Sequence, residues 1–328
     1  MIRPFKPLIV TMALALLLIG IGPMSIVSAA ETTNKTHIAI ELNGETVKLA
    51  DPAIMVGNRT YIPVARVAQL LGAKTSWNKA NEELTINTAL GDKIVLGNEV
   101  PVVYFNGARY RMEALPFLAD DRLYVPLRQL SELLHAELKW NADTDVIELK
   151  TVEPAEITDE FGLDQISEQF GVTKEELLKR NGLSGESKIA ANKKIKVVVP
   201  SFFHKAAKPF TEADLMLLAK ITMVEAGYES YEGQLALANV ILNRVKDSKF
   251  PDSIRDVIYS GRQFPPAHNG MLDKSQPHAG ALRAAKDALN GKNNVKDAVY
   301  FFNPAVSKGS FWSSLDVITT IGHHRFAK

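Results

Sequence analysis

The sequence predicts a multidomain α+β protein: a duplicated α+β stalk, a small βααβ module and a mostly helical C-terminal domain. Three observations carry this. The chain has 328 residues, more than one core holds at about 150 residues per domain. Residues 47–86 recur as residues 110–149, position for position. Beyond residue 210 the apolar residues fall three and four apart, the spacing of helices.

Composition narrows the function before any motif is read. Lys and Arg number 38 against 37 Asp and Glu, a net charge of +1 that becomes −1 without Arg3 and Lys6. A near-neutral chain has no global field for nucleic acid, so an uncharged or zwitterionic polymer is the better partner. Cysteine is absent, which excludes a disulfide scaffold, a Cys nucleophile and a Cys-ligated zinc site.

Arg3 and Lys6 precede an apolar run from Leu8 to Ile21, and Ser25 to Ala30 offers small residues for cleavage. That order predicts an export signal over residues 1–30, cut after Ala29 or Ala30. The competing reading is an uncleaved anchor. The run falls short of the ~20 residues a membrane span requires and is interrupted by Gly20, Gly22 and Pro23.

In the duplicated segment Arg59, Tyr61, Pro63, Leu70, Leu71, Ala73, Trp77 and Asn78 match Arg122, Tyr124, Pro126, Leu133, Leu134, Ala136, Trp140 and Asn141. Such self-similarity marks a repeated supersecondary unit. Each copy reads as an R-x-Y-x-P turn into a short helix, a strand carrying the Trp, a turn, and an alternating strand. Residues 36–151 resemble the copper amine oxidase N-terminal-like domain of secreted bacterial proteins. Copper is not expected, because His37 and His135 form no clustered ligand set. The two tryptophans are expected in equivalent cores, with sugar stacking as the alternative, and the segment reads as a stalk or wall-contact module.

Residues 157–200 predict a strand, a helix with Ile166 and Phe170 on one face, and a second helix capped by Thr173 with Glu176 three positions on. Asn181-Gly182 ends that helix and the alternating IKVVVP closes the unit. With Leu163, Ile166, Phe170, Val172, Leu177, Asn181 and Ile195 in place, the segment resembles the LysM domain. That resemblance implies binding of N-acetylglucosamine-containing glycans through the loops after the first strand and the second helix. The opening strand departs from the usual Y-x-V-x-x-G-D-x-L pattern.

SFFHKAAKPF then reads as a linker to residues 210–328. Thr211 opens a helix with Asp214 completing the cap. Leu215, Leu218, Ala219 and Thr222 share one face, and the apolar run Ile221–Val224 ends at Glu225. A carboxyl leaving an apolar helix at its C-terminal end meets desolvation and the negative end of the macrodipole, and both raise its pKa. A general acid for glycoside cleavage needs that environment. A solvated helix-end glutamate is the competing reading of Glu225.

The segment ITMVEAGYESYEGQLALANVILNRV resembles the start of the catalytic domain of SleB-type spore cortex-lytic enzymes, a family of cell wall hydrolases. Tyr231, Gly233, Gln234 and the run Val240–Arg244 fit its second helix. FPDSIRDVIYSGRQFPPAHNG, AVYFFNP and IGHHRF fit later family segments in order, so the resemblance spans Phe210–Lys328. It implies a lysozyme-like helical fold, peptidoglycan glycan strands as substrate, action at the cell wall or spore cortex and coat, and Glu225 as the catalytic acid. Where the family has E-A-R-G-E this chain has Glu225-Ala226-Gly227-Tyr228-Glu229. Gly227 is expected at a positive φ that Tyr228 would resist, which leaves the placement of Glu229 open.

A hydrolase needs a second carboxylate, ~5–5.5 Å from the acid if retaining or ~6.5–9.5 Å if inverting. Glu229, Glu232, Asp273 and Asp316 are available, none within a strong motif. A lytic transglycosylase needs one acid only, because the muramic acid 6-hydroxyl is the nucleophile, and the resemblance implies this outcome with a 1,6-anhydromuramic product. A muramidase-type hydrolase and a wall-binding protein with a decayed site stay open. Glu229, Gln263, Asn303 and His324 are candidate hydrogen-bonding partners of the sugar, and Phe264, Tyr300 and Trp312 candidate flat surfaces for it. Asn239, Asn243 and Arg244 are expected to brace the fold. His268, His278, His323 and His324 raise a zinc alternative, but no H-E-x-x-H occurs. No metal or cofactor is predicted, and phosphate loops, G-x-S-x-G elbows and basic nucleic-acid stripes are absent.

Overall fold

The computed structural model describes residues 34–36, 39–141, 146–184, 189–261 and 263–328. The predicted export signal lies outside the described residues. Among them, no helix is long and apolar enough to cross a membrane.

The R-x-Y-x-P segments, expected as turns, are strands at Arg59–Pro63 and Arg122–Pro126. Each ends on its proline, which caps the helix that follows directly, α1 (Val64–Leu70) and α2 (Leu127–Leu133). Proline suits this junction, since it fixes φ and lacks only an N–H that a helix start leaves unpaired. The two strands pair antiparallel, with Tyr61 opposite Pro126, Ile62 opposite Val125 and Pro63 opposite Tyr124. Val125 is the counterpart of Ile62 in the second copy, so this register relates the repeats by a local two-fold axis. Lys74–Asn78 and Ala136–Asn141 then form hairpins with Glu83–Asn87 and Val146–Thr151. Ile62, Val67, Ile86, Val125, Leu130, Leu133 and Leu149 share one core drawn from both copies.

The tryptophans do not fill equivalent cores. Trp77 is 40% exposed and Trp140 54%. Each sits opposite a buried residue of its hairpin, Leu84 and Ile147 respectively. A seven-residue helix is about 10 Å long, whereas the strands beneath run ~17 Å or more. The helix therefore covers only part of the sheet face, and the indole stands beyond it.

The predicted linker is part of the stalk. Phe202 and Phe203 are buried in its core, and Phe203 stacks on Tyr110 at 4.7 Å between centroids. Arg111 N–H donates to Lys205 O, and Ala207 N–H to Arg109 O, so residues 205–207 extend the edge of the sheet.

The small module has the predicted βααβ order: Ala155–Glu156, α3 (Leu163–Phe170), α4 (Lys174–Arg180) and Lys194–Ile195. Thr173 and Glu176 form the predicted capping box on α4. The closing strand is two residues, shorter than IKVVVP suggests. The Asn181 amide takes both the N–H and the C=O of Lys196, so a side chain does there what a strand partner would. The module is tied to the stalk by Asp92, which is buried and accepts from Arg180 at 2.7 Å and Lys196 at 2.6 Å. Burial alone would raise the Asp92 pKa. The bonds and charge of Arg180, with Lys196 and Asn106, outweigh it and hold the carboxyl below its ordinary value.

The C-terminal region packs α5 (Glu212–Ala226), α6 (Tyr231–Lys246), α7 (Ile254–Tyr259), α8 (Met271–Lys274), α9 (Ala279–Leu289) and α10 (Ser310–Ser314) with a three-stranded sheet. Tyr300–Phe302 and Val317–Ile321 flank the central strand His324–Ala327. Helix α6 is buried on nearly every side, from Gly233 to Ile241, as expected of the central helix of such a bundle. Thr211 and Asp214 cap α5 as predicted. Helix α9 and the residues after it also meet the stalk: Arg283 pairs with Glu82 at 2.8 Å and Lys286 with Glu83 at 2.6 Å, and Arg109 donates to Asn290 Oδ1 at 2.7 Å.

Candidate active site

Glu225 is the penultimate residue of α5 and is half-buried. Burial is the sole cause of its raised pKa: the ionised form loses water and gains no compensating charge. No hydrogen bond or ion pair holds its carboxyl among the described residues. It is thus an acid biased toward its protonated form, with its proton uncommitted.

The turn that follows is fixed from outside. Gly227 is right-handed, at φ −61 and ψ −21, so the expected positive φ is not adopted. The glycine is needed for space, since a Cβ there would lie 2.3 Å from Met223 O. Tyr228, relieved of conflict, is fully exposed. Gln234 Nε2 donates to Glu229 O at 2.9 Å, and His278 Nε2 lies 3.1 Å from Gly227 O while its Nδ1 caps α9. Gln234 was legible only as part of the second-helix motif, and the sequence carried no signal for this role of His278.

Glu229 has a definite seat. Its side chain is 10% exposed, with Oε1 at 3.0 Å from His323 Nδ1 and 3.3 Å from His324 Nδ1. The backbone N–H of His323 donates to Oε2. Two glycines make the room: a Cβ on Gly322 would lie 2.0 Å from Glu229 Oε2, and one on Gly233 would lie 2.8 Å from Glu229 Cβ. Gly322 also has φ +57. Glu229 and His324, each expected to contact the sugar, are instead bonded to one another, and His323 is a partner that sequence reasoning set aside.

The other predicted residues divide. Phe264 is fully buried, stacked on Phe301 and under the Arg244 guanidinium, so it offers no face to a sugar. The apolar core of α5 and α6 claims it. Gln263 is exposed. Asn303 Oδ1 accepts from Ala305 N–H, which commits half of its amide to the turn after the strand. Tyr300 and Trp312 are half-buried in an aromatic shelf, Tyr300 against Phe250 and Phe311, Trp312 against Phe302 and Phe311. Phe301 and Phe302 both pack inward on opposite sides of their strand, so neither alternating set is free. Asn239, Asn243 and Arg244 brace the fold as expected: Asn243 Nδ2 donates to Lys296 O and Ala298 O, and Arg244 Nε to Val299 O.

Among the other carboxylates, the side chains of Glu232, Asp273 and Asp316 belong to exposed residues. Among the described residues, no three His, Asp or Glu side chains gather as a metal site would require. A concavity of about 340 Å³ where the stalk meets α9, walled by Val102, Phe210, Leu242, Ile254 and Leu289, contains none of the predicted site residues.

Residues 228–327 match the family model described as Cell Wall Hydrolase. The C-terminal domain is a cell wall hydrolase domain. Residues 41–149 match the Copper amine oxidase N-terminal domain. The chain is similar to spore cortex-lytic enzymes from Oceanobacillus iheyensis, 36% identical over 119 residues, and Bacillus subtilis, 37% over 119 residues. These alignments cover 36% of this chain and 43% and 39% of the relatives, so the chain spans less than half the length of either. Cell wall hydrolase CwlJ of Bacillus subtilis is 27% identical over 123 residues, 35% of this chain and 85% of that protein. The solved catalytic domain of the germination-specific lytic transglycosylase SleB from Bacillus anthracis is 32% identical, covering 38% of this chain and all of that one at a TM-score of 0.35. Within the cell wall hydrolase domain, Glu229, Gly233, Gly322 and both histidines lie inside the matched segment, and Glu225 stands three residues before it.

Proposed function

We propose that the chain is a secreted enzyme cleaving the MurNAc–GlcNAc bond of peptidoglycan, with spore cortex as a substrate, and that it acts as a lytic transglycosylase. The observation that carries this reading is Glu225: a carboxyl whose pKa burial alone raises, ending the first helix of a cell wall hydrolase domain. Relatives named for cortex lysis support the choice of substrate.

The chemistry needs one carboxyl. Glu225 donates its proton to the bridging glycosidic oxygen as the C1–O bond breaks. The muramic acid 6-hydroxyl attacks C1 from within the same ring system, and the Glu225 carboxylate accepts the hydroxyl proton. The products are a free 4-hydroxyl and a 1,6-anhydro end, no water is consumed, and the acid is restored. Holding donor and acceptor in one molecule removes much of the entropic barrier. Glu229 is a poor candidate for activating water, since His323 and His324 already occupy its carboxylate. It positions the turn carrying Glu225, with His324. Gln263, Asn303, Tyr300 and Trp312 are proposed to contact the sugar strand.

The stalk (36–151) and the LysM-like module (157–200) hold the hydrolase domain (210–328) on the wall, the module by binding N-acetylglucosamine-containing glycan. The predicted export signal over residues 1–30 sends the chain there. The test is digestion of purified cortex peptidoglycan by wild type and Glu225→Gln, with products resolved by mass. Anhydro ends formed by wild type alone are expected. Equal digestion by both forms overturns the assignment of Glu225, and ends heavier by one water select the hydrolase.

A further inference from the structure

The exposed tryptophans stand in two clefts related by the two-fold of the stalk. One cleft, about 510 Å³, lies between Trp77, the start of α1 at Pro63 and Arg66, and Asp121-Arg122 of the other repeat. The second, about 370 Å³, lies between Trp140, the start of α2 at Pro126 and Gln129, and Asn58-Arg59 of the other repeat. Arg59 and Arg122 are counterparts, as are Asn58 and Asp121. Each repeat thus supplies the indole of one cleft and the arginine of the other. Only a paired duplication builds this arrangement.

Three features favour a ligand over simple incomplete burial. Tyr61, Tyr124, Phe105 and Tyr110 of the same domain are buried, yet the largest aromatic of each repeat is left outside, at the same place in both. Gln129, at the wall of the second cleft, is 4% exposed with neither amide atom hydrogen-bonded, a buried polar group awaiting a partner. Both volumes fall in the range of small-ligand sites.

We infer that the two clefts are glycan subsites, each stacking the apolar face of an N-acetylhexosamine on its tryptophan. The arginines then meet hydroxyl and N-acetyl oxygens, and the second cleft alone adds the uncommitted Gln129 amide. The first cleft balances Arg66 and Arg122 against Asp51 and Asp121, with Arg122 paired to Asp51 at 3.3 Å, which suits a neutral sugar. The second carries Arg59, Arg128 and Lys139 against Glu113, so a ligand without anionic polymer is the deciding one there. The choice of peptidoglycan as the natural glycan rests on the function proposed above; the sugar chemistry of the clefts does not.

Two subsites on one rigid domain act by avidity on a polymeric ligand. The full chain carrying Glu225→Gln, so that nothing is digested, is sedimented with insoluble peptidoglycan stripped of anionic polymer. Trp77→Ala and Trp140→Ala are each expected to weaken binding about tenfold, and together about a hundredfold. Binding by the double variant equal to that of its parent overturns the proposal, as does binding that disappears on stripping the anionic polymer. A second measurement needs no wall. The chain has three tryptophans, so in a Trp312→Phe background all indole emission comes from the clefts. Titration with chitotetraose is expected to shift that emission, and an unchanged spectrum at saturating sugar overturns the inference. This readout is independent of cleavage, so failure of the enzyme assignment leaves it standing.

Discussion

Oε1 of Glu229 lies 3.3 Å from Nδ1 of His324, joining the turn after Glu225 to the central strand of the C-terminal sheet. The His324 ring in turn packs 5.8 Å from Phe301. A side chain four residues from the proposed acid is therefore anchored at the far end of the domain's sequence.

Glu229→Ala removes that anchor and leaves the mostly buried His324 ring without its carboxylate, while the exposed His323 turns to water. It is expected to cost about 1–3 kcal/mol of stability. Gly322→Ala is expected to be at least as damaging, because its Cβ would overlap Glu229 Oε2 at φ +57. Thermal unfolding of both variants checks this, together with kcat, which falls if the anchor positions Glu225. An unchanged melting temperature for Gly322→Ala refutes the geometry.

Glu225→Gln is expected to lower kcat by about 10²–10⁴-fold, the range of general acid–base catalysis. Its stability effect has a definite sign. Burial raises the folded-state pKa, so ionisation opposes folding once pH exceeds the unfolded value, and the amide escapes that cost. The variant should match wild type near pH 4, exceed it as pH rises from the unfolded value to the raised folded-state value, and keep a constant advantage above that. Denaturant titrations across that range read it directly. Wild-type activity should fall as pH rises through the raised pKa.

His135 is buried, 3% exposed. Its pKa is lowered to about 4 by burial, then by the nearby Arg180 charge, against a smaller opposing pull from Asp92. The folded state holds it neutral while the unfolded state protonates below its ordinary value of 6.5. Stability is thus lost as pH falls from there toward 4, by about 3 kcal/mol. His135→Asn, which tolerates the residue's φ of +59, should flatten that acid dependence. A wild-type unfolding free energy constant between pH 6.5 and 4.5 contradicts it.

Arg109 reaches Asn290 Oδ1 through Nε and Nη2, at 3.1 and 2.7 Å, and covers the Phe210 ring at 4.1 Å. Arg109→Ala is expected to weaken the junction between the stalk and the hydrolase domain and lower the melting temperature in scanning calorimetry, while Arg283–Glu82 and Lys286–Glu83 keep the two in contact. Activity on soluble glycan fragments should persist.

Much of this was legible in one dimension, because local chemistry fixes local structure. The duplication, the caps at Thr173 and Thr211 and the helix carrying Glu225 in its last turn follow from spacing and residue type within a few positions. So did the match to a cell wall hydrolase domain, carried by contiguous motifs. What the tertiary structure decided were contacts between distant segments. Phe264 looked like a sugar platform until the packing of Phe301 and Arg244 enclosed it. Glu229 looked free to meet the sugar until His323, His324 and the space at Gly322 seated it. Trp77 and Trp140 looked like core because repeats usually bury equivalent positions. Their exposure depends on how far a seven-residue helix reaches over a longer strand, and the arginine beside each arrives from the other copy. Neither length nor pairing across a two-fold is written in the local pattern, since both arise only when the chain closes on itself.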